Sequence, residues 1–247
     1  MKATPLEFRF RFLIHAIIYF LGFDTPWNYW LHLDSAGPNA HTWGTLAAKL
    51  SALMPGTLTI VTAFNLLLVA AIICALIAAI LRTWASAYLG AATVQSFSMH
   101  GDAVVAAGPY RYLRNPLYVA IFIHTFALAL LMPPSGAIFC IIAIALFELR
   151  LIAGEESFLT ANLGEPYLAY CMKVPRLFPA ISPRISASAT HPTWLIGFLG
   201  EMYMWGVVIT FAVFGRRYNS TLLIKGILIS LGLSLIIRAC LPRRTAS

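Results

Sequence analysis

Long apolar runs alternate with short polar segments along this chain, and the runs predict its architecture. Residues 58–81 are apolar apart from Asn65 and a few hydroxyl side chains. About 20 residues at a rise of 1.5 Å per residue cross the hydrocarbon core of a bilayer, so this run predicts a membrane-spanning helix. Five more apolar segments can be drawn, at residues 10–23, 117–132, 136–149, 194–214 and 221–237. The pattern predicts an all-α, polytopic transmembrane protein with about six membrane segments.

The third and fourth segments are short and are joined by an uncharged turn. Residues 132–136 read Met-Pro-Pro-Ser-Gly, a sequence that favours a tight helical hairpin. Pro116 stands where a proline at the first position of a helix is expected, so the hairpin is predicted to begin there. Its second helix is expected to continue into polar sequence at Glu148 and Arg150.

The first apolar segment follows basic residues, as the apolar part of a signal peptide does. Lys2, Arg9 and Arg11 precede it. No cleavage site of the small-x-small type follows, because the chain continues into Asp-Thr-Pro-Trp at residues 24–27. We therefore expect this segment to be retained as a first membrane helix.

The composition agrees with a membrane protein. Of the 247 residues, 60% are hydrophobic and 11% are charged, whereas soluble domains carry about 25% charged residues. The net charge of +8 does not indicate nucleic-acid binding, because no run of lysine and arginine exceeds two residues. The spacing of the cysteines supports neither a disulfide framework nor a metal site; they are Cys74, Cys140, Cys171 and Cys240.

The distribution of lysine and arginine predicts an orientation, because cytoplasmic loops carry an excess of both. Two stretches of mixed polarity, which we call the polar islands, cover residues 82–116 and 150–192. With the amino terminus inside, both islands lie on the cytoplasmic side, whereas Arg216 and Arg217 lie outside and argue the other way. The sequence predicts a multi-pass integral membrane protein whose polar islands face the cytoplasm.

Both polar islands place charged groups at predicted helix ends. The first contains Arg111 and Arg114 just before a helix start, where free N–H groups and the helix dipole suit an anion. The second contains the adjacent carboxylates Glu155 and Glu156, which suit a ligand's ammonium group or ribose hydroxyls, or neutralise the arginines. Residue chemistry alone leaves open a loop of salt bridges flanked by interfacial tyrosines.

The ordered motifs in the islands resemble one enzyme superfamily. Residues 108–118 read Gly-Pro-Tyr-Arg-Tyr-Leu-Arg-Asn-Pro-Leu-Tyr, and residues 155–159 read Glu-Glu-Ser-Phe-Leu. Further parts of the pattern lie at residues 82–85, 164–170 and 174–176. Over roughly residues 58–180, this order resembles the isoprenylcysteine carboxyl methyltransferase and phospholipid methyltransferase superfamily of integral membrane enzymes.

The resemblance implies that S-adenosylmethionine binds between the hairpin and the cytoplasmic segments and faces a lipophilic acceptor that enters from the bilayer. The cofactor contacts it implies are Gln95, Asp102, Ala103, Val104, Val105, Tyr110, Arg114, Asn115, Pro116, Leu117, Tyr118 and Glu155. The residues it suggests for catalysis are Arg150 and Glu156.

The chain departs from the family pattern at two positions. The common motif is Arg-His-Pro, whereas here Asn115 follows Arg114, and asparagine keeps a donor and an acceptor but cannot titrate. The isoprenylcysteine enzymes also have an arginine, implicated in binding the acceptor, four residues before the paired glutamates. Leu151 stands at that position and Arg150 is its neighbour, about 100° away around a helix. This departure puts a prenylated cysteine as acceptor in question.

The function predicted from the resemblance is S-adenosylmethionine-dependent methyl transfer to a lipophilic acceptor, as in isoprenylcysteine carboxyl methyltransferases. The alternatives are N-methylation of a phospholipid, S-methylation of a small thiol, an NADPH-dependent reductase of the sterol-reductase type, and a transporter or scaffold without enzymatic activity. We expect membrane lipid around the protein, and neither nucleic acid nor metal as a partner.

Three regions follow from this interpretation. Residues 1–57 form an amino-terminal helix with an interfacial segment, residues 58–182 form the methyltransferase core, and residues 183–247 form a linker and a final helix pair. Ionisable residues within apolar runs suggest function by default; they are His15, His124, Glu148, Glu201 and Lys225. His124 is expected to line an acceptor tunnel or to form a helix contact, and Glu201 to pair with Lys225.

Overall fold

The computed structural model describes residues 2–34, 40–89, 106–186, 188 and 190–240. These residues form helices and connecting segments, with no β-strand among them, which confirms the all-α prediction. The helices are α1 (Pro5–Arg9), α2 (Arg11–Asp24), α3 (Asn28–Leu31), α4 (Thr42–Leu53), α5 (Ile60–Leu89), α6 (Pro116–Ala129), α7 (Pro134–Leu163), α8 (Glu165–Lys173), α9 (Trp194–Gly200), α10 (Met202–Phe214) and α11 (Ser220–Cys240). Two short 3₁₀ turns cover Gly108–Arg111 and Gly215–Arg217.

Three of these helices, α5, α7 and α11, are long and apolar enough to cross a membrane. The α9–α10 pair forms a fourth crossing if its two parts, bent by 66° at Glu201, make one broken span. Helices α2 and α6 have 14 residues each, or about 21 Å, which is shorter than a hydrocarbon core of about 30 Å. The described residues therefore provide three or four spans, which is fewer than the six segments predicted.

The hairpin has the form that the sequence predicts. Helix α6 begins at Pro116, with Asn115 as its preceding cap residue, and ends at Ala129. Helix α7 begins after a short turn and is one continuous helix of 30 residues. It carries Glu148 and Arg150 within its length, and the glutamate pair of the second island near its carboxyl end.

The amino-terminal segment lies along α7 in the antiparallel direction. At one end, the backbone N–H of Ala3 donates to the carbonyl oxygen of Arg150 at 2.9 Å. At the other end, α2 and α7 approach so closely at Gly22 and Gly136 that a Cβ on Gly136 would collide with the carbonyl oxygen of Gly22. Glycine therefore sets the distance between the two helices at this crossing.

The described residues of the two polar islands lie at the same end of the bundle. The backbone N–H of Arg114 donates to the carbonyl of Pro175 at 2.9 Å, which joins the islands directly. The N–H of Thr193 donates to the carbonyl of Ala87, so α9 also begins at this end. The opposite end contains the contact between the N–H of Trp43 and the carbonyl of Leu130. The structure thus places the described parts of both islands on one side, and which side faces the cytoplasm remains a prediction.

The apolar core lies between α5, α6, α7, α10 and α11, and includes Ala75, Ile144, Phe211 and Leu223. One polar interaction crosses its edge where α9 meets α10. Glu201 accepts hydrogen bonds there from Arg82 and from the hydroxyl of Ser86. The predicted pairing of Glu201 with Lys225 is wrong, because the bend turns Glu201 toward α5 and leaves Lys225 exposed.

Candidate active site

The start of α6 is joined to the second polar island by the side chain of Asn115. Its amide nitrogen donates to Oε1 of Glu156 and to the backbone carbonyl of Arg176, both at 3.1 Å. Pro116 occupies the first helical position and has no backbone N–H that would need a partner. The amino-terminal end of α6 is therefore accessible to the side chains around it. Asn115 is itself buried, so these two bonds hold the helix start firmly.

Glu156 is the centre of a charge cluster that spans both islands. Its Oε1 lies 3.3 Å from Nη1 of Arg114, and its Oε2 lies 2.8 Å from Nη2 of Arg176. Because one carboxylate faces two guanidinium groups, the cluster keeps an excess positive charge at the helix start. That charge, together with the amino-terminal end of α6, suits an anionic group.

Glu155 points to a different partner on α6. The hydroxyl of Tyr118 donates to its Oε2 at 2.6 Å. The buried guanidinium of Arg11, on α2, interacts electrostatically with both of these residues. The two adjacent glutamates on α7 therefore contact different partners, because residues one apart lie about 100° apart around a helix.

Backbone hydrogen bonds tie the first island to the segment after α8. The N–H groups of Arg114, Ala180, Arg184 and Ser188 donate to the carbonyls of Pro175, Tyr112, Arg111 and Ala106, respectively. The side chain of Arg111 donates from Nε to the carbonyl of Ile185 at 2.9 Å. These bonds give an irregular segment fixed partners and hold it beside the site.

Tyr110 has a buried hydroxyl that finds no hydrogen-bond partner among the residues the structure describes. Its backbone carbonyl accepts a bond of 2.8 Å from the hydroxyl of Tyr170, so the residue is fixed in place. Burial, and secondly the nearby carboxylate of Glu155, raise the pKa of Tyr110 well above its usual range, so the phenol stays protonated at neutral pH. A buried, unpaired hydroxyl at this position fits a ligand with a hydrogen-bonding group.

Arg150 is held on the outer side of α7 by the amino-terminal segment. Its Nη2 donates to both carboxylate oxygens of Glu7, at 2.7 and 2.9 Å. The N–H of Thr4, and Arg150 after it, lower the pKa of Glu7, against the opposing effect of desolvation. Gly154 allows this docking, since a Cβ there would lie 3.1 Å from the carbonyl oxygen of Ala3.

The structure brings together most of the predicted site residues that it describes. Around the start of α6 and the end of α7 it gathers Tyr110, Arg114, Asn115, Pro116, Leu117, Tyr118, Glu155 and Glu156. Gln95 and residues 102–105, which include Asp102, Ala103, Val104 and Val105, lie outside the described residues. Arg150 is engaged by Glu7, and its assignment to catalysis stays a prediction.

The motifs do not indicate the contribution of α2 to the site. The sequence indicates only that Arg11 is one of the basic residues beside the first apolar segment. In the structure its side chain is buried and interacts with Tyr118 and Glu155. A usable pattern exists in the spacing of Arg11, His15 and Tyr19, which lie four residues apart on one face of an apolar helix.

Two further observations concern polar side chains of the bundle. His124 is buried, with Nε2 3.4 Å from the hydroxyl of Tyr203 and Nδ1 without a partner in the described part of the chain. Within residues 2–34, 40–89, 106–186, 188 and 190–240, no three side chains of histidine, cysteine, aspartate or glutamate are grouped so as to hold a metal ion.

Comparison with known families gives one match. Residues 45–165 match the family model described as phospholipid methyltransferase. The matched region includes most of α4, the α6–α7 hairpin and the glutamate pair, and it leaves out α2 and α9 to α11. No curated protein and no solved structure matches the chain. The superfamily resemblance drawn from the sequence motifs is confirmed.

Proposed function

Because residues 45–165 match the phospholipid methyltransferase family model, we propose that this chain transfers a methyl group from S-adenosylmethionine to a lipophilic acceptor dissolved in the membrane. One observation supports this most directly. The start of α6 and the end of α7, both inside the matched region, meet through the Tyr118–Glu155 and Asn115–Glu156 hydrogen bonds. These contacts bring the residues of two separate motifs into one site.

The residues present fit S-adenosylmethionine, which supplies an activated methyl group on a sulfonium. The unpaired hydroxyl of Tyr110 and the carboxylate of Glu155 offer a donor and an acceptor to a polar ligand. The positive cluster of Arg114 and Arg176 at the helix start suits a carboxylate. We assign Arg114, Asn115, Pro116 and Leu117 to the wall of this site.

The part of Glu156 in this proposal is to position other groups. It contacts Arg114, Arg176 and Asn115 at once, and its loss would remove one contact from each of these side chains. Arg150 acts further out, where its bond to Glu7 docks the amino-terminal segment on α7. Both residues remain candidates for catalysis on the sequence pattern.

The protein's main task in such a reaction is to hold two reactants in line and to exclude water. Proximity and orientation supply most of the acceleration when the methyl donor is already activated. A carboxylate or thiolate acceptor needs no general base, whereas an ammonium must first lose a proton. We place the cofactor on the cytoplasmic side, from the distribution of lysine and arginine, and the acceptor on the bilayer side.

The test is binding of S-adenosylmethionine by the purified chain in nanodiscs, measured by calorimetry. Glu155→Ala and Tyr118→Ala each remove one partner of a charge-assisted hydrogen bond, so we expect affinity to fall about tenfold or more. Glu165→Ala and Tyr29→Ala are the matched controls, because both residues are exposed and neither is assigned to the site.

Absence of S-adenosylmethionine binding by the intact protein would contradict the proposal. Binding of NADPH in its place would support the reductase alternative instead. A second assay measures transfer of a labelled methyl group to a mixed lipid extract. A labelled lipid would establish methyl transfer as the reaction class without identifying the acceptor.

A further inference from the structure

Helix α8 has two faces of different character. Tyr167 and Tyr170 are buried, and they pack with Val174 in a small cluster. Leu168 and Met172 lie four residues apart on another face, and both are exposed, Met172 to 81%. A short helix with one docked face and one exposed apolar face is typical of an element that lies at a membrane surface.

The chain that follows α8 extends this exposed apolar surface. Phe178 is 83% exposed and Ile181 is fully exposed. Between them, the N–H of Ala180 donates to the carbonyl of Tyr112 at 3.0 Å, so the segment is fixed against the first polar island. The two apolar side chains are therefore directed away from the protein by a backbone that is held in place.

Aromatic side chains mark the level of the membrane boundary at this end of the bundle. The ring of Tyr112 contacts that of Trp84 on α5, with centroids 5.9 Å apart. One turn further along α5, Tyr88 contacts Trp194 at the start of α9, at 6.3 Å. Tryptophan and tyrosine concentrate where the hydrocarbon meets the lipid head groups. The segment after α8 is bonded to Tyr112, so it lies close to this boundary.

The same segment lines a groove rich in cations, which we call the basic groove. The groove has a volume of about 450 Å³ and is lined by Arg111, Lys173, Pro183, Arg184, Ile185 and Ser186. In the described part of the chain, none of its three cations forms an ion pair with a carboxylate. Three positive charges around one groove without a counter-charge attract an anion.

Backbone hydrogen bonds hold the basic groove in shape. Nε of Arg111 donates to the carbonyl of Ile185, and the N–H of Arg184 donates to the carbonyl of Arg111, both at 2.9 Å. These bonds use neither terminal nitrogen of Arg111, and the side chains of Lys173 and Arg184 are exposed. Guanidinium and ammonium groups gathered in this way suit the oxygen atoms of a phosphate.

We propose that the basic groove binds the phosphate of an anionic phospholipid, whose acyl chains lie against the exposed apolar side chains of the same segment. A soluble phosphate would account for the cations but would leave those apolar side chains in water. A zwitterionic lipid would bring no net negative charge to the groove. An anionic lipid matches both features, and it agrees with the predicted cytoplasmic position of the islands, because that leaflet carries anionic lipids.

This lipid is distinct from the methyl acceptor. None of the six residues that line the basic groove is assigned to the cofactor or to catalysis. The inference therefore does not rest on the proposed methyltransferase function. The bound lipid still influences the candidate active site, since Arg176 lies three residues after Lys173 and contacts Glu156. Lipid binding anchors the segment that completes this charge cluster.

The experiment measures the binding of phosphatidylglycerol by the full-length protein in uncharged micelles, with native mass spectrometry. The charge variant is Lys173→Gln/Arg184→Gln. The control Arg216→Gln/Arg217→Gln removes the same charge from an exposed pair at the opposite end of the bundle. A basic residue near an anionic surface contributes about fivefold in affinity, so the charge variant should bind about tenfold or more weakly. The control should bind as wild type does.

Two further comparisons separate a lipid from a soluble anion. Phosphatidylcholine and the deacylated head group glycerophosphoglycerol should each bind wild type about tenfold or more weakly than phosphatidylglycerol. Phe178→Ser should weaken binding of the intact lipid and leave binding of the head group unchanged, because only the lipid has acyl chains to contact this side chain.

Equal affinity of wild type for phosphatidylglycerol and phosphatidylcholine overturns the proposal, and so does an equal loss of affinity in the charge variant and its control. A head group that binds as tightly as the intact lipid assigns the basic groove to a soluble anion instead. Unchanged lipid affinity in Phe178→Ser contradicts the contact with acyl chains. If Lys173→Gln/Arg184→Gln does not fold, the lipid preference of wild type and the result for Phe178→Ser decide the question.

Discussion

Glu201 lies at the break between α9 and α10, and Arg82 of α5 binds both of its carboxylate oxygens through Nε and Nη2. Both side chains are buried, and Ser86 adds a third hydrogen bond at 2.7 Å. The pair joins the matched methyltransferase region to helices outside it. The bend between α9 and α10 falls at the residue that forms this pair.

Removing one member of this pair should destabilise the protein more than removing both. Glu201→Met leaves a buried guanidinium without its counter-charge, and we expect a loss of about 3–5 kcal/mol in the free energy of unfolding. The double variant Arg82→Met/Glu201→Met leaves neither charge of the pair uncompensated and should lose less. Equilibrium unfolding in mixed micelles measures both, and a double variant less stable than Glu201→Met would contradict the prediction.

The crossing of α2 and α7 should depend on Gly136. A methyl group there would collide with the carbonyl oxygen of Gly22, so Gly136→Ala should push α2 away from α7 and lower the thermal midpoint. Gly232→Ala is the control, because Gly232 is exposed on α11 and a Cβ there would meet no described atom within 4 Å. Alanine is favoured over glycine in a helix by up to about 1 kcal/mol, so the control should be neutral or stabilising. Equal behaviour of the two variants would argue against a close crossing.

The docking of the amino-terminal segment should depend on pH through Glu7. Its folded pKa lies below the ordinary value of 4.5, so its contribution to stability is fully present above that value and is lost as pH falls through the folded pKa. Amide hydrogen exchange in α1 should therefore accelerate in acid relative to exchange in α5. In Glu7→Gln this difference should disappear, and its persistence would assign the effect to another group.

The motifs predict the composition of the candidate site better than its contacts. The order of the motifs at residues 108–118 and 155–159 is sufficient to predict that Tyr118 and Glu155 belong to one site, and the two side chains are hydrogen-bonded. It does not assign Glu156 to Arg114 and Arg176, because adjacent carboxylates on a helix point in directions that only their neighbours distinguish. The sequence does not predict the burial of Arg11 either, because the apolar run that follows it does not indicate which helix it packs against.

Hydropathy overestimates the number of spans for a related reason. Residues 10–23 and the first half of the hairpin are apolar enough for a membrane, but their helices have only 14 residues each. Residues 194–214 read as one segment, whereas the structure bends them by 66° at Glu201. Hydropathy measures how apolar a segment is, and the length and straightness of its helix depend on the partners it packs against.

The sequence by itself determined that this chain is an all-helical membrane protein, because a bilayer requires long apolar runs whose backbone bonds are satisfied internally. Its ordered motifs also determined the resemblance to the methyltransferase superfamily, which the family match over residues 45–165 confirms. Only the tertiary structure decided which polar groups meet inside the bundle. Arg82 and Glu201 are separated by 119 residues, and His15 and Glu148 by 133. A buried polar group takes the partner that packing brings within reach, and packing depends on the whole chain at once.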